Sequence, residues 1–161
     1  MNLDRYDIRI LQELQTDASI SNQDLADHIG LTPSPCLRRV RHLEELGLIT
    51  GRVTLLNPEK LGLSLFVLIH ISMDRHTPER FAAFESTIND YDEVIECLLI
   101  TGQSADYMVK VMVPDMNYYQ DFLLNKITRI AGVTGVHSSF VLRQPIRKTA
   151  LPLNHLHKKS L

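Results

Sequence analysis

An α+β protein of two modules is predicted by three observations. Apolar residues recur at helical spacing through the first 47 positions. The stretch NPEKLGLS (57–64), rich in Pro, Gly and Asn, then breaks the pattern. Beyond it, strand-like and helix-like runs follow in the order β-α-β-β-α-β. At 161 residues and 44% hydrophobic content, the chain can bury two small cores.

The first helix is predicted from Asp4 to about Asp17, where Ile8, Ile10, Leu11 and Leu14 form one stripe and acids sit near the positive end of the macrodipole. Ser21 caps a short second helix, with Asp24 three places on, Leu25, Ala26 and Ile29 as its stripe, and Gly30 as its stop. A third helix follows in TPSPCLRRVRHLEELG (32–47), with Ser34 expected at the N-cap and Pro35 at the first helical position. At roughly 100° per residue, Cys36, Leu37, Val40, Leu43 and Leu46 fall on one broad side. Ser34, Arg38, Arg41, His42 and Glu45 fall on the other, and Arg39 lies at the boundary. Gly47 ends the helix, and RVTLL (52–56) reads as extended chain.

In the second module, strands are expected over Leu65 to Met73, Val94 to Thr101, YMVKVMV (107–113) and Val133 to Leu142. Helices are expected over Pro78 to about Asn89 and Met116 to about Ile130. That order is the split βαβ, ferredoxin-like pattern, a four-stranded sheet with two helices on one face. Apolar residues on both sides of the strands predict a second protomer packed sheet against sheet. The expected organisation is a helix-turn-helix module (1–51), a strand and linker (52–64), a ferredoxin-like module (65–150) and a loose tail (151–161).

Net charge is −2, which excludes a uniformly basic nucleic-acid coat, so phosphate contacts must come from a local patch. The patch is on the third helix. A short capped helix, a tight turn and an arginine-bearing helix form a helix-turn-helix whose third helix would enter the major groove of double-stranded DNA. Ser34 and the helix N-terminus suit a phosphate, Arg38, Arg41 and His42 suit base edges or phosphates, and Arg39 suits the backbone. The plainer reading of such a face is a solvated one, with Glu45 as a local partner.

The loop Thr101-Gly102-Gln103-Ser104-Ala105-Asp106 is the second candidate site. Its backbone N–H groups could hold a carboxylate and Asp106 an ammonium, as an amino-acid effector would require, with Ile100 and Tyr107 as flanks. Equally, Gly102 could serve only a hairpin turn, with Asp106 solvating its end. Neither a Gly-rich phosphate loop nor a triad, HExxH or paired-carboxylate motif is found, so no catalytic site is expected. His28, His70 and His137 read as structural or solvated, and His155 and His157 make too weak a pattern for a metal. Cys36 and Cys97 lack metal-ligand spacing and read as buried thiols. No signal segment opens the chain, and its most apolar run, LSLFVLIHISM (63–73), is too short to cross a bilayer, so a soluble cytoplasmic protein without a cofactor is expected.

TPSPCLRRVRHLE, followed by LGLI and LNPEKLG, resembles the Lrp/AsnC (feast/famine) family of bacterial and archaeal transcription regulators, with wording closest to its leucine-responsive branch. TGQSADYMVKV and GVHSSFVL extend the resemblance over nearly the whole chain. The resemblance implies a winged-type helix-turn-helix and a RAM/ACT-like sensing domain. It also implies a nucleoid-associated homodimer that assembles to a tetramer or octamer and binds a small effector, usually an amino acid. The effector pocket in such proteins lies between dimers and is completed by another subunit's last strand, which maps to Thr134, Val136 and Ser138. Gln103-Ser104-Ala105 lacks an acid that some relatives carry. An apolar amino acid such as leucine or methionine is the leading expectation, and an effector-independent architectural DNA-binding protein is the alternative.

Overall fold

A computed structural model describes residues 3–102 and 104–159. The chain divides into two compact units, residues 1–55 with 146–161, and residues 56–145. The tail expected to hang loose is therefore counted with the N-terminal module.

That module holds α1 (Arg5–Thr16), α2 (Asn22–Ile29) and α3 (Pro33–Glu45). Asp4 caps α1 by accepting from the N–H groups of Tyr6 and Asp7, and Asp7 returns the favour to the Asp4 N–H, a reciprocal capping box. Ser21 caps α2 through the Asp24 N–H, and Gly30 ends it at φ 78°, the left-handed region where a Cβ is costly. Ile10, Leu25, Ala26, Ile29, Cys36, Val40 and Leu43 are buried together where the three helices meet.

Three local expectations need correction. Thr32, not Ser34, stands at the N-cap of α3, and Pro33 takes the first helical position. Pro33's fixed φ and missing N–H suit that place, and the start moves forward by two residues. Leu37 and Leu46 are 39% and 40% exposed rather than core, because the short α1 and α2 cover only the middle of the α3 stripe. RVTLL forms no strand. The chain offers it no partner backbone, and Val53, Leu55 and Leu56 stand exposed.

The second unit is a sheet of β1 (Leu65–Met73), β2 (Val94–Leu99), β3 (Tyr107–Val113) and β4 (Val133–Phe140) in the order β2-β3-β1-β4. All its pairings are antiparallel. Helices α4 (Pro78–Asn89) and α5 (Met116–Asn125) cover one face. The second helix stops at Asn125, short of the expected Ile130, and a 3-10 turn over Ile127–Arg129 completes the run. On β1 and β3 the residues alternate strictly: Val67, Ile69, Ile71 and Met73, with Tyr107, Val109, Val111 and Val113, are buried against the helices. Phe84 and Phe122 fill the space between the layers, and Phe84 lies 4.5 Å from the Tyr107 ring, centroid to centroid. The alternate residues, including Phe66, Leu68, Met108 and Met112, look the other way and are only half-buried.

Glu93 is the one buried charge among the described residues. Burial opposes its ionisation, but Lys126 at 2.6 Å and the Tyr118 hydroxyl at 3.0 Å hold its carboxyl below the usual range.

Because Phe84 is fully buried at the centre of this core, Phe84→Ala should cost about 3–5 kcal/mol. Urea denaturation followed by circular dichroism measures it, and a loss below 1 kcal/mol would mean that the layers repack freely.

Candidate functional site

The outer face of α3 is built by fastening the helix to both α1 and α2. Asn22, at the start of α2, donates from its side-chain amide to the Pro33 carbonyl at 2.9 Å and so sets the turn between the two helices. Arg9 donates to the carbonyls of His28 and Ile29, tying α1 to the end of α2. Arg39 reaches across to α1, where Nη1 lies 2.7 Å from both the Asp4 and Asp7 carboxylates, with its guanidinium carbon 5.4 Å from the Tyr6 ring centroid.

Arg39 is thus a clamp within the module. Its charge, expected to meet the DNA backbone, is matched here by the two carboxylates of the α1 cap. Hydrogen bonding to Asp7 raises its own pKa in spite of burial. For Asp4, burial opposes the charge, yet the N–H groups of Asp7 and Tyr6 and the Arg39 guanidinium together hold the carboxyl below its ordinary value.

Ser34, Arg38, Arg41 and His42 remain exposed on one face, joined by Leu37. Arg38 and Arg41 make no ion pair among the described residues, and His42 approaches only Glu45, at 3.9 Å. Leu37 is the residue that periodicity assigned wrongly: it puts an apolar side chain among the cations, as contact with a thymine methyl would require.

The second candidate site lies at the end of the sheet. The loop between β2 and β3 closes through the Ile100 N–H, which donates to the Asp106 carbonyl at 2.8 Å. Asp106 then moors the loop to β1: its N–H donates to the Ile71 carbonyl at 2.9 Å and its carboxylate accepts from the Met73 N–H at 2.7 Å. The other carboxylate oxygen lies 2.7 Å from His76 Nε2. Asp106, expected to accept from an ammonium, has one partner at each carboxylate oxygen.

Gly102 turns the loop at φ 88°. Among the described residues, the N–H groups of Gly102, Ser104 and Ala105 donate no hydrogen bond. Gln103 lies outside the described residues. Thr101 and Ser104 are exposed and Ala105 is buried.

Ser104, Ala105 and Val136 line a concavity of about 450 Å³ with His70, Ser72 and His137. The register pairs His70 with His137 directly across β1 and β4, with ring centroids 6.3 Å apart, and leaves the His70 Nδ1 buried without a partner among the described residues. Sequence reasoning read each histidine alone, and only the strand register brings them together.

The other expected members are dispersed. Thr134 donates to the Ser72 carbonyl, and Ser138 turns to Tyr119 on the helix-covered face. Tyr107 is buried with its hydroxyl 2.7 Å from Glu85, and burial followed by that bond pushes its phenol far up. Burial likewise pushes the Cys97 thiol up to about 11, with Glu85 adding to the effect, and both cysteines are free thiols.

The Asp4 pKa is lowered, so its contribution to stability is full above its ordinary value near 3.8 and is lost as pH falls through the lowered one. Arg39→Ala should therefore lower the thermal stability of the helical module at pH 7 and flatten its loss of stability as pH falls below the ordinary Asp4 value of 3.8. Melting curves across that range check it, and an unchanged slope would mean that the clamp contributes nothing.

The comparisons with known proteins agree with both halves of this geometry. A winged helix-turn-helix DNA-binding domain matches residues 3–50, and the Lrp/AsnC ligand binding domain matches residues 66–151. The leucine-responsive regulatory protein of Klebsiella pneumoniae is 42% identical over 143 residues, covering 89% of this chain and 87% of that one. Its Escherichia coli counterpart is 41% identical over the same span. Among solved structures, a transcriptional regulator of Neisseria meningitidis in complex with L-methionine superposes with a TM-score of 0.92 at 37% identity, covering 96% of this chain and 99% of that one. Escherichia coli AsnC superposes at 0.85 with 28% identity, covering 94% and 100%. A winged helix-turn-helix DNA-binding domain joined to the Lrp/AsnC ligand binding domain makes this chain a member of the Lrp/AsnC family of transcriptional regulators.

Proposed function

We propose that this regulator binds paired DNA half-sites as a homodimer, assembles further to a tetramer or octamer, and changes its assembly and DNA binding when an apolar amino acid such as leucine or methionine occupies the loop at 101–106. The observation that carries the DNA half is the outer face of α3, where Arg38 and Arg41 stand exposed beside Leu37, with no ion pair among the described residues. Ser34 would meet a phosphate and Arg38, Arg41 and His42 base edges or phosphates. The reading makes the chain a non-enzymatic, nucleoid-associated cytoplasmic regulator.

Two features favour assembly. The sheet face away from the helices carries Leu68, Met108 and Met112 half-exposed, and the extended segment at 52–56 carries Val53, Leu55 and Leu56 exposed. A second copy would cover such surfaces.

The loop supports the effector half. Gly102, Ser104 and Ala105 offer N–H groups without acceptors among the described residues, a cradle for a carboxylate. An effector ammonium would compete with His76 for Asp106. Ile100, Thr101, Gln103 and Tyr107 belong to the same proposed pocket, with Thr134, Val136 and Ser138 contributed across an interface between dimers. L-methionine is bound by the Neisseria relative and by a feast or famine regulatory protein of Mycobacterium tuberculosis, which supports an amino acid here. The effector can act only through a difference in its affinity for the two assembly states.

Arg38→Ala should weaken operator binding by about 1–3 kcal/mol if Arg38 reads a base. A gel-shift titration measures it, and wild-type affinity would remove Arg38 from the interface.

A thermal-shift screen against the twenty amino acids should give a selective rise in melting temperature for one apolar member. Asp106→Asn keeps an acceptor for the Met73 N–H but loses the charge, so it should weaken that response at least tenfold while the fold persists. A screen with no shift would favour an effector-independent architectural protein, and an unchanged response in the variant would put the ammonium elsewhere.

A further inference from the structure

His70 and His137 stand on the sheet face that the helices leave open, and neither belongs to the proposed DNA or effector surface. Along β1 and β4 that face carries the directly opposed pairs Leu68 with Ser139, His70 with His137 and Ser72 with Gly135. Residues so opposed hold their Cβ atoms about 5 Å apart, so two imidazoles at one rung reach into the same volume. Ser139, Ser72 and Gly135 are too small to cover them. A concavity of about 450 Å³ is lined by both rings and by all three small residues.

Imidazole pairs at this spacing can chelate. A borderline-soft divalent ion sits about 2.0–2.1 Å from a histidine nitrogen, and so about 3.2 Å from the ring centre. The two centroids here are 6.3 Å apart, close to twice that distance, so an ion between them can meet a nitrogen of each after rotation about side-chain bonds alone. The nitrogens are available. The histidines whose rings are hydrogen-bonded or ion-paired among the described residues are His28, His42, His76 and His155, which leaves both members of this pair unengaged. The His70 Nδ1 is buried as well, and a buried nitrogen calls for a partner.

Two ligands are half of a zinc site, which takes four in a tetrahedron. Among the described residues, no group of three or more histidine, cysteine or acidic side chains completes it within the chain. Lys110 and Glu96, also on this face, lie 3.9 Å from each other. The missing ligands then have to come from outside the chain. This is the face on which Leu68, Met108 and Met112 are half-exposed, and a surface packed on its own copy presents the same residues from both sides.

We propose that His70 and His137 form half of a divalent transition-metal site, Zn²⁺ foremost, and that the same pair from a second copy completes it across the open sheet face. The bridge rests on the assembly reading above. Chelation by the pair does not.

Untagged, metal-free protein titrated with Zn²⁺ in a calorimeter should bind one ion per two chains, and sedimentation should show the dimer strengthened at least tenfold by the ion. Co²⁺ in its place should give the intense visible bands of a tetrahedral site. His70→Gln and His137→Gln should each weaken binding at least tenfold and abolish those bands. His155→Gln combined with His157→Gln, which removes the histidines of the tail, should change neither.

The wild-type titration decides the matter even where a variant misfolds. No Zn²⁺ bound by the wild type, or binding unchanged in both variants of the pair, overturns the site. One ion per chain, lost in both variants, with faint Co²⁺ bands and no effect on sedimentation, supports chelation by the pair and overturns the bridge. A chain that stays monomeric with and without Zn²⁺ overturns the assembly reading together with the bridge, and the titration still decides chelation.

Discussion

The pleat of β1 and β3 is the constraint from which most of this molecule follows. Side chains alternate across a strand, so committing Val67, Ile69, Ile71, Val109 and Val111 to the helices sends Leu68, His70, Met108 and Lys110 the other way. A four-stranded sheet with two helices has no layer of its own for that second face. The same alternation brings His70 opposite His137 and lays the concavity beside the β2–β3 loop. Core, uncovered face and candidate pocket are thus consequences of one register. A slip of one residue would exchange all three.

The helical module rests on a different economy, in which the same few charges do two tasks. Asp4 and Asp7 satisfy the open N–H groups at the start of α1 and also receive Arg39 from α3. The cation that α3 gives up to this clamp is the one nearest its buried side. Those it keeps, Arg38 and Arg41, are the ones that cannot reach α1. Division of labour among Arg38, Arg39 and Arg41 therefore follows from angular position on the helix.

Much of this was legible in the residues. The Ser21 cap, the Gly30 stop and the alternating strands each depend on chemistry within a few positions, and local chemistry is what a sequence displays. The order β-α-β-β-α-β then admits few folds. What escaped depended on who covers whom. Leu37 lies on the apolar stripe of α3, but nothing in the stripe says that α1 and α2 are too short to cover its flank. RVTLL has the composition of a strand, but composition does not supply a partner. Pro33 and Pro35 both suit a helix start, and the choice between them was settled by the turn that Asn22 holds. Asp106 read as a free carboxylate because its partners, the Met73 N–H and His76, come from a strand some thirty residues earlier and the loop that follows it. The C-terminal arm gave no periodic signal, since it meets α1 through the Leu151 backbone, held by Gln15, and through two leucines, Leu153 and Leu156, beside Leu11 and Leu14.

The mooring of Asp106 has one more effect. With that residue holding the loop to β1 from its N–H and its carboxylate, and with Ile100 closing the other end, the exposed Thr101, Gly102 and Ser104 carry little of the fold. Gly102 alone among the described members is needed for its backbone shape. The remaining side chains can drift by mutation without loosening the scaffold beneath them. A duplicated copy of such a regulator could acquire a new small-molecule specificity in a handful of substitutions, each tolerated on arrival.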